Sequence, residues 1–124
     1  DLGATLESLV PTFIEAPSAK THVLTTPRHG ATLREDASFS SLGSSFVGIY
    51  SIWDDAEQDD DNVSWTHTAA AKMAPHSVGR YINEIDGFSF PDKIVDCYSK
   101  SSFERIARMR TEYDQNHLFH GFPA

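Results

Sequence analysis

Residues 46–53, Phe-Val-Gly-Ile-Tyr-Ser-Ile-Trp, carry apolar side chains at both even and odd positions. Successive side chains of a strand point to opposite faces of a sheet, so this pattern predicts a central strand covered on both faces. The next eight residues, 54–61, include six acidic side chains. Such a dense run of like charge is typical of a solvated loop, and here it leads into a helix.

The helix that follows is expected to begin at Asp61 or Asn62, because both side chains can cap a helix N-terminus. Pro75 is expected to end it, since proline removes a backbone donor. Apolar residues spaced by four mark the face that should pack inward, namely Trp65, Ala69 and Met73.

An opening helix is predicted upstream, from apolar residues that share one face at helical spacing: Leu2, Leu6, Leu9, Val10 and Phe13. Pro11 is expected to kink or end this helix near Val10. Residues Thr21 to Thr26 are rich in β-branched side chains and predict a strand that stops at Pro27. A second extended piece is expected at Ala31 to Arg34, followed by a loop over residues 35–45.

Downstream, Val78 to Ile85 is predicted as a strand that Gly87 breaks. A short helix should run from about Asp92 to Tyr98. A longer helix follows, with Ser101 or Ser102 as its cap. The face of this helix that should pack inward carries Phe103, Ile106, Met109 and Tyr113. The apolar side chains near the end of the chain should also be packed; these are Leu118, Phe119 and Phe122.

These elements predict an α+β fold, a mostly antiparallel sheet with helices packed on one face, formed as a single domain over residues 1–124. The 10 basic and 18 acidic residues give a formal charge of -8, which disfavours nucleic acid as a partner. The apolar runs are far shorter than the roughly 20 residues that span a bilayer, so a soluble protein without a membrane partner is expected. The start at Asp1 suggests processing or truncation.

Few residues suggest metal or thiol chemistry. Cys97 has no cysteine partner and is expected to be a small buried residue. His117 and His120 could share a helical face, but no third ligand completes a zinc set, so no metal is predicted. Asn62-Val63-Ser64 fits the glycosylation acceptor pattern, which matters only in a secreted protein.

Tyr81 and Asn83 are the candidate site residues, because alternate side chains of the predicted strand share a face. A phenol can exchange a proton with a substrate hydroxyl, and a carboxamide can donate and accept hydrogen bonds toward a polar ring edge. The alternative is structural: a half-buried tyrosine beside an edge asparagine that satisfies a loop.

Residues 79–86, Gly-Arg-Tyr-Ile-Asn-Glu-Ile-Asp, resemble the Tyr-x-Asn-x-x-Asp strand of the berberine-bridge family of FAD-linked oxidases. Tyr98, residues 103–106 (Phe-Glu-Arg-Ile) and residues 113–119 (Tyr-Asp-Gln-Asn-His-Leu-Phe) are similar to the family's final helix. Matches in the family's order cover nearly the whole chain: His29-Gly30-Ala31, Phe39, the strand ending in Trp53, and Trp65. The chain departs from the family pattern at Glu84, where an aromatic is common, at Gln115, where proline is usual, and at Ser41-Leu42, where His-Arg is frequent.

The resemblance implies the C-terminal part of an oxidase, similar to the sheet-and-helix portion that covers the flavin and builds the substrate site. Tyr81 would be the catalytic base and would contact the cofactor together with Asn83. The implied cofactor is FAD, and the implied reaction is hydride transfer from a small-molecule substrate, followed by reoxidation by oxygen. The family's FAD-binding domain has no counterpart in this sequence, so a separate FAD-binding domain or chain is the expected partner.

Two other functions remain open from the sequence. The chain could be a cofactor-free binding or assembly domain that keeps the fold and forms a homodimer through an uncovered apolar surface. It could also be a cofactor-free enzyme with chemistry of its own at Tyr81.

Overall fold

The computed structural model describes residues 2–28, 37–38, 43–116 and 118. Its elements follow in chain order: α1 (Leu2–Ile14), β1 (His22–Pro27), β2 (Ser45–Tyr50), a 3₁₀ helix (Ala56–Gln58), α2 (Asp59–Met73), a 3₁₀ helix (Ala74–His76), a 3₁₀ helix (Pro91–Cys97) and α3 (Lys100–Tyr113). The fold is α+β, as the sequence predicts. Contacts group the chain into two compact units, the first within Asp1–Gly30 and Gly43–Ser77, the second within Ala31–Leu42 and Val78–Ala124. The single-domain expectation stays a prediction.

The first unit contains an antiparallel ribbon in which β1 pairs with β2, with Val23 opposite Ile49. The predicted first strand is therefore confirmed. The central position predicted for the second is wrong, because β2 pairs with β1 alone among the described strands and ends at Tyr50, before Trp53. Every residue of β2 is half-buried rather than covered on both faces. A two-stranded ribbon is marginally stable alone, and α2 packs against β2 in this unit.

Pro11 is expected to kink or end α1 near Val10, and the end is wrong, because the helix continues through Pro11 to Ile14. Two side chains of α2 donate hydrogen bonds to Thr12 in the last turn of α1. The indole N–H of Trp65 donates to the Thr12 carbonyl at 2.8 Å, and Lys72 donates to the Thr12 hydroxyl at 2.7 Å. The Thr12 carbonyl is one of the last four of α1, which lack partners within their own helix.

Helix α2 begins at Asp59, after Gln58, and not at Asp61 or Asn62 as predicted. Three of the six acidic residues therefore lie in its first turn, where negative charge interacts favourably with the positive end of the helix; these are Asp59, Asp60 and Asp61. The predicted inward face is confirmed at Trp65 and Ala69, which are buried, and Met73 is half-buried. The helix ends at Met73, and the 3₁₀ turn that follows contains Pro75, as expected.

In the second unit, the predicted short helix corresponds to the 3₁₀ helix Pro91–Cys97. Helix α3 is capped by Ser99, whose hydroxyl accepts from the Ser102 N–H, and not by the predicted Ser101 or Ser102. The inward stripe is wrong at Met109 and Tyr113, which are 52% and 73% exposed, and Leu118 is also exposed. Further predictions lie outside the described residues, namely those for Ala31 to Arg34, Phe119 and Phe122, and most of the loop at 35–45.

In the part of the chain that the structure describes, no helix is both long and apolar enough to cross a lipid bilayer.

Candidate functional site

Tyr81 and Asn83 lie next to each other in the second unit and are joined by a hydrogen bond. The Asn83 carboxamide Nδ2 donates to the Tyr81 phenol oxygen at 2.8 Å. The backbone N–H of Glu84 donates to the Tyr81 carbonyl at 3.0 Å and closes a turn over residues 81–84, called the Tyr81 turn below. The Tyr81 side chain is half-buried and Asn83 is exposed, so the pair reaches solvent.

The predicted strand Val78 to Ile85 is wrong, although the pairing of its two candidate residues is confirmed. Residues 78–90 are all described and contain turns and irregular backbone rather than a strand. A hydrogen bond between residues three apart, here Glu84 to Tyr81, cannot form in an extended chain. The stretch also contains glycine, asparagine and acidic residues, which are depleted in strands. The turn thus brings together the two side chains that strand alternation was expected to align.

The 3₁₀ helix Pro91–Cys97 supports the segment on both sides of this pair. The Arg80 backbone N–H donates to the Asp96 carbonyl at 3.2 Å, and its Nε lies 3.7 Å from Asp96 Oδ2. Further along, a Cβ on Gly87 would lie 3.4 Å from Ile94 Cδ1, so the backbone passes in close contact with that buried side chain. The candidate residues therefore lie between two contacts with one helix.

A second turn over residues 86–90, called the Asp86 turn below, follows directly. The Asp86 carboxylate accepts from the backbone N–H groups of Phe88 and Ser89, at 3.0 and 3.1 Å. The Phe90 N–H donates to the Asp86 carbonyl at 3.0 Å. Aspartate often organises turns in this way by bonding backbone groups two or three residues on. The Phe88 side chain at the tip of this turn is 100% exposed.

Three ionisable groups in or next to the 3₁₀ helix Pro91–Cys97 have shifted pKa values. Burial raises the pKa of the Cys97 thiol, which the fold encloses completely, and burial also raises the pKa of Tyr98, to which the neighbouring Cys97 adds. A hydrogen bond from Lys93 holds the pKa of Asp92 below its ordinary value. A buried thiol with a raised pKa is a poor nucleophile, because the thiolate is the reactive form. Cys97 is therefore the buried residue that the sequence predicts.

The described residues fit part of what an FAD molecule requires. The phenol and carboxamide suit the polar edge of a ring system, which needs groups that donate and accept hydrogen bonds. A pyrophosphate is usually bound at a helix N-terminus. The first turn of α2 instead holds three carboxylates, Asp59, Asp60 and Asp61, and the Ser102 N–H at the start of α3 is bonded to Ser99. These two helix starts do not suit a phosphate group.

No group of three or more His, Cys, Asp or Glu side chains among the described residues could hold a metal ion. His117 and His120 lie outside that part of the chain. Asn62 of the glycosylation pattern is completely buried within α2, and its Nδ2 donates to the Gln58 carbonyl at 2.9 Å. A glycan could not be attached to this side chain in the folded unit.

No protein-family model and no curated protein matches this chain. The resemblance to the berberine-bridge family therefore stays a prediction.

Sequence reasoning missed three residues that shape the site. Arg80 and Asp96 contact each other, and Asp86 organises a turn. The Asp86-Gly87 pair is a turn signal that could have revealed the second turn. No local signal identifies Asp96 as the partner of Arg80, because the contact joins residues 16 positions apart (96 − 80).

Proposed function

We propose that the chain is the substrate-site and flavin-covering portion of an FAD-linked oxidoreductase and requires a separate FAD-binding part. The observation that carries this proposal is the 2.8 Å hydrogen bond from Asn83 to the Tyr81 phenol oxygen in a segment that reaches solvent. The similarity of residues 79–86 to the Tyr-x-Asn-x-x-Asp motif adds to it. That motif is a strand in the family and a pair of turns here, so the proposal rests on the two side chains and not on the strand.

The two residues have separate roles in the proposed reaction. For an alcohol substrate, Tyr81 acts as the general base toward the hydroxyl proton while the C–H hydride leaves the substrate, which becomes a carbonyl compound. The Asn83 N–H stabilises negative charge on the phenol oxygen and fixes its orientation. Tyr81 and Asn83 would contact the FAD, which would supply the hydride acceptor and the route for electrons to oxygen. Tyr81 then releases its proton to solvent, to which its half-buried side chain is open.

The requirement for a separate part is tested by mixing the purified chain with FAD and following flavin fluorescence. We expect no binding, because the N-termini of α2 and α3 suit phosphate poorly and the net charge of -8 repels it. Tight binding of FAD by this chain alone would contradict the proposed division of labour. A separate check follows the chain by antibody through chromatography of its natural source, and we expect it in a fraction with flavin absorbance.

The role of Tyr81 is tested in that flavin-containing species. We expect Tyr81→Phe to slow the bleaching of the flavin by substrate by roughly 10²- to 10⁴-fold, the usual contribution of a general acid or base. The matched control is Tyr113→Phe, which makes the same chemical change at an exposed side chain at the end of α3. Equal rates for the two variants would rule out Tyr81 as the base.

The alternative proposal is a cofactor-free binding or assembly domain that forms a homodimer. Its support is the exposure of large apolar side chains, which include Ile14 in the first unit and Val78 and Phe88 in the second. Clusters of such side chains mark interaction surfaces when they are contiguous. Light scattering on the species purified from the natural source separates the two proposals, because a stable homodimer there, without flavin and without oxidase turnover, supports assembly and contradicts the oxidase.

A further inference from the structure

Arg80, which precedes the candidate pair, contacts two residues that follow the pair in the chain. Its Nε lies 3.7 Å from Asp96 Oδ2, and its guanidinium carbon lies 5.8 Å from the centre of the Phe90 ring. Its backbone N–H also donates to the Asp96 carbonyl. Asp96 belongs to the 3₁₀ helix Pro91–Cys97, and Phe90 closes the Asp86 turn. The Arg80 side chain thus links the start of the Tyr81 segment to the end of the Asp86 turn and to the 3₁₀ helix Pro91–Cys97.

We infer that Arg80 is a positioning residue, whose contacts with Asp96 and Phe90 fix the turn that presents Tyr81 and Asn83. The position of this turn is inferred from the structure alone, while its catalytic consequence rests on the proposed oxidase function.

Each contact of Arg80 is individually weak, which favours positioning over global stability. Partly exposed ion pairs typically contribute about 0.2–1 kcal/mol to folding, and an exposed cation–π contact about 0.5–1 kcal/mol. Catalysis is more sensitive, because a displacement of roughly 1 Å can cost about a hundredfold in rate. Loss of Arg80 should therefore leave the fold intact and move the Tyr81–Asn83 pair.

The first measurement uses the whole chain without flavin. The side-chain NH₂ resonances of Asn83 are recorded by NMR, with Asn83→Asp to assign them and the exposed Asn116 as internal reference. We expect Arg80→Ala to shift the Asn83 signals toward those of Asn116, since its bond to Tyr81 is lost. Asp96→Asn, which keeps the size of the side chain, should produce a smaller shift in the same direction. The matched control is Arg108→Ala at an exposed position of α3, which should change nothing.

The second measurement uses the flavin-containing species. We expect Arg80→Ala to lower kcat roughly tenfold to a hundredfold while KM changes less than about twofold, as for an interaction needed mainly in the transition state. Arg80→Lys keeps the charge but loses the planar group that lies over Phe90, and should be intermediate.

The two measurements separate the positioning role from the proposed function. If Tyr81→Phe reduces activity while Arg80→Ala and Asp96→Asn leave both the Asn83 signals and kcat unchanged, positioning by Arg80 is wrong and the oxidase function stands. If the Asn83 signals move but the unaltered chain is never found with flavin, the positioning role stands and the oxidase function fails. If Arg80→Ala loses its overall structure, the Asp96→Asn variant decides. An unchanged Asn83 signal in that variant overturns the inference.

Discussion

Each of the two units is stabilised internally by a different kind of interaction. In the first, α1 and α2 share a buried stripe that includes Leu9, Trp65 and Ala69, and the buried hydrogen bond from Trp65 to Thr12 lies within it. In the second, the stretch between Val78 and Pro91 has no helix or strand and is shaped by side-chain bonds to backbone groups. Regular packing supports the first, whereas the candidate site lies on irregular chain whose geometry depends on single polar contacts.

The largest effect is expected from Trp65→Ala, which removes the centre of the first unit. Trp65 is buried, its ring lies 6.3 Å from that of Phe13, and its indole N–H bonds the Thr12 carbonyl. Loss of a buried aromatic side chain should lower the free energy of unfolding by about 3–5 kcal/mol. Urea denaturation followed by circular dichroism measures this change.

Two further variants sharpen that result. Trp65→Phe keeps the ring contacts but leaves the Thr12 carbonyl unpaired, and should cost about 1–3 kcal/mol. Trp53→Phe removes the 2.6 Å bond from a half-buried indole to Asp59, and should cost about 1 kcal/mol or less. Equal losses for Trp65→Ala and Trp53→Phe would show that the first unit has no dominant core.

The same contrast explains which parts of the fold could be predicted from sequence. Helical spacing identified Trp65 and Ala69 correctly, because a repeat of 3.6 residues is a local property of the chain. The last turn of α1, past Pro11, accepts hydrogen bonds from Trp65 and Lys72, which lie more than 50 residues away in the chain, and no local pattern reveals them. Tertiary contacts of this kind override the intrinsic effect of proline.

In the second unit, the sequence predicted the proximity of Tyr81 and Asn83 correctly, but through the wrong secondary structure. Strand alternation and the Tyr81 turn both bring a residue close to its neighbour two positions on, so Tyr81 and Asn83 meet in either case. The predicted strand itself failed, because the segment is shaped by the contact of Arg80 with Asp96 and by the carboxylate of Asp86. Side-chain bonds to backbone groups compete with strand pairing and leave no periodic signal.

A smaller effect than that of Trp65→Ala is expected from Asp86→Ala, which removes the acceptor for two backbone N–H groups. We expect a loss of about 1 kcal/mol in the stability of the Asp86 turn, since solvent can replace part of the interaction. Amide hydrogen exchange at Phe88 and Ser89 should quicken roughly fivefold, while exchange at Trp65 in the first unit stays unchanged. Asp86→Asn retains an acceptor oxygen and serves as the control. Equal exchange in both variants would mean that the carboxylate does not organise the turn.

A pH-dependent difference between the units follows from Cys97. Burial raises its pKa above the ordinary value near 9.0, so as pH rises the unfolded thiol ionises before the folded one. Above about pH 9 the folded state therefore binds more protons than the unfolded state, and the contribution of Cys97 to the free energy of unfolding falls. Below that pH the contribution of Cys97 is constant. Tyr98 adds a change of the same sign at higher pH.

The check on Cys97 compares unfolding by urea between about pH 8 and pH 10 for the unaltered chain and Cys97→Ala. We expect the variant to lose less stability over this range, because it lacks the ionisable thiol. Tyr98→Phe, in which the thiol remains, should retain most of the decline up to pH 10. Parallel pH profiles for the unaltered chain and Cys97→Ala would contradict the assignment.

The smallest effect is expected from Gly87→Ala, a test of how tightly the site segment lies on its supporting helix. The added Cβ would meet Ile94 Cδ1 at 3.4 Å, an ordinary van der Waals contact. The variant should therefore change the free energy of unfolding by less than about 0.5 kcal/mol, the usual range for substitutions that disturb no special feature. Gly48→Ala is the contrasting change, since its Cβ would meet the Tyr50 ring at 2.7 Å and displace a ring that stacks on His22. It should cost about 1–3 kcal/mol, as overpacking does. A larger loss at Gly87 than at Gly48 would mean that the second unit, and not the ribbon of the first, is the more closely packed of the two.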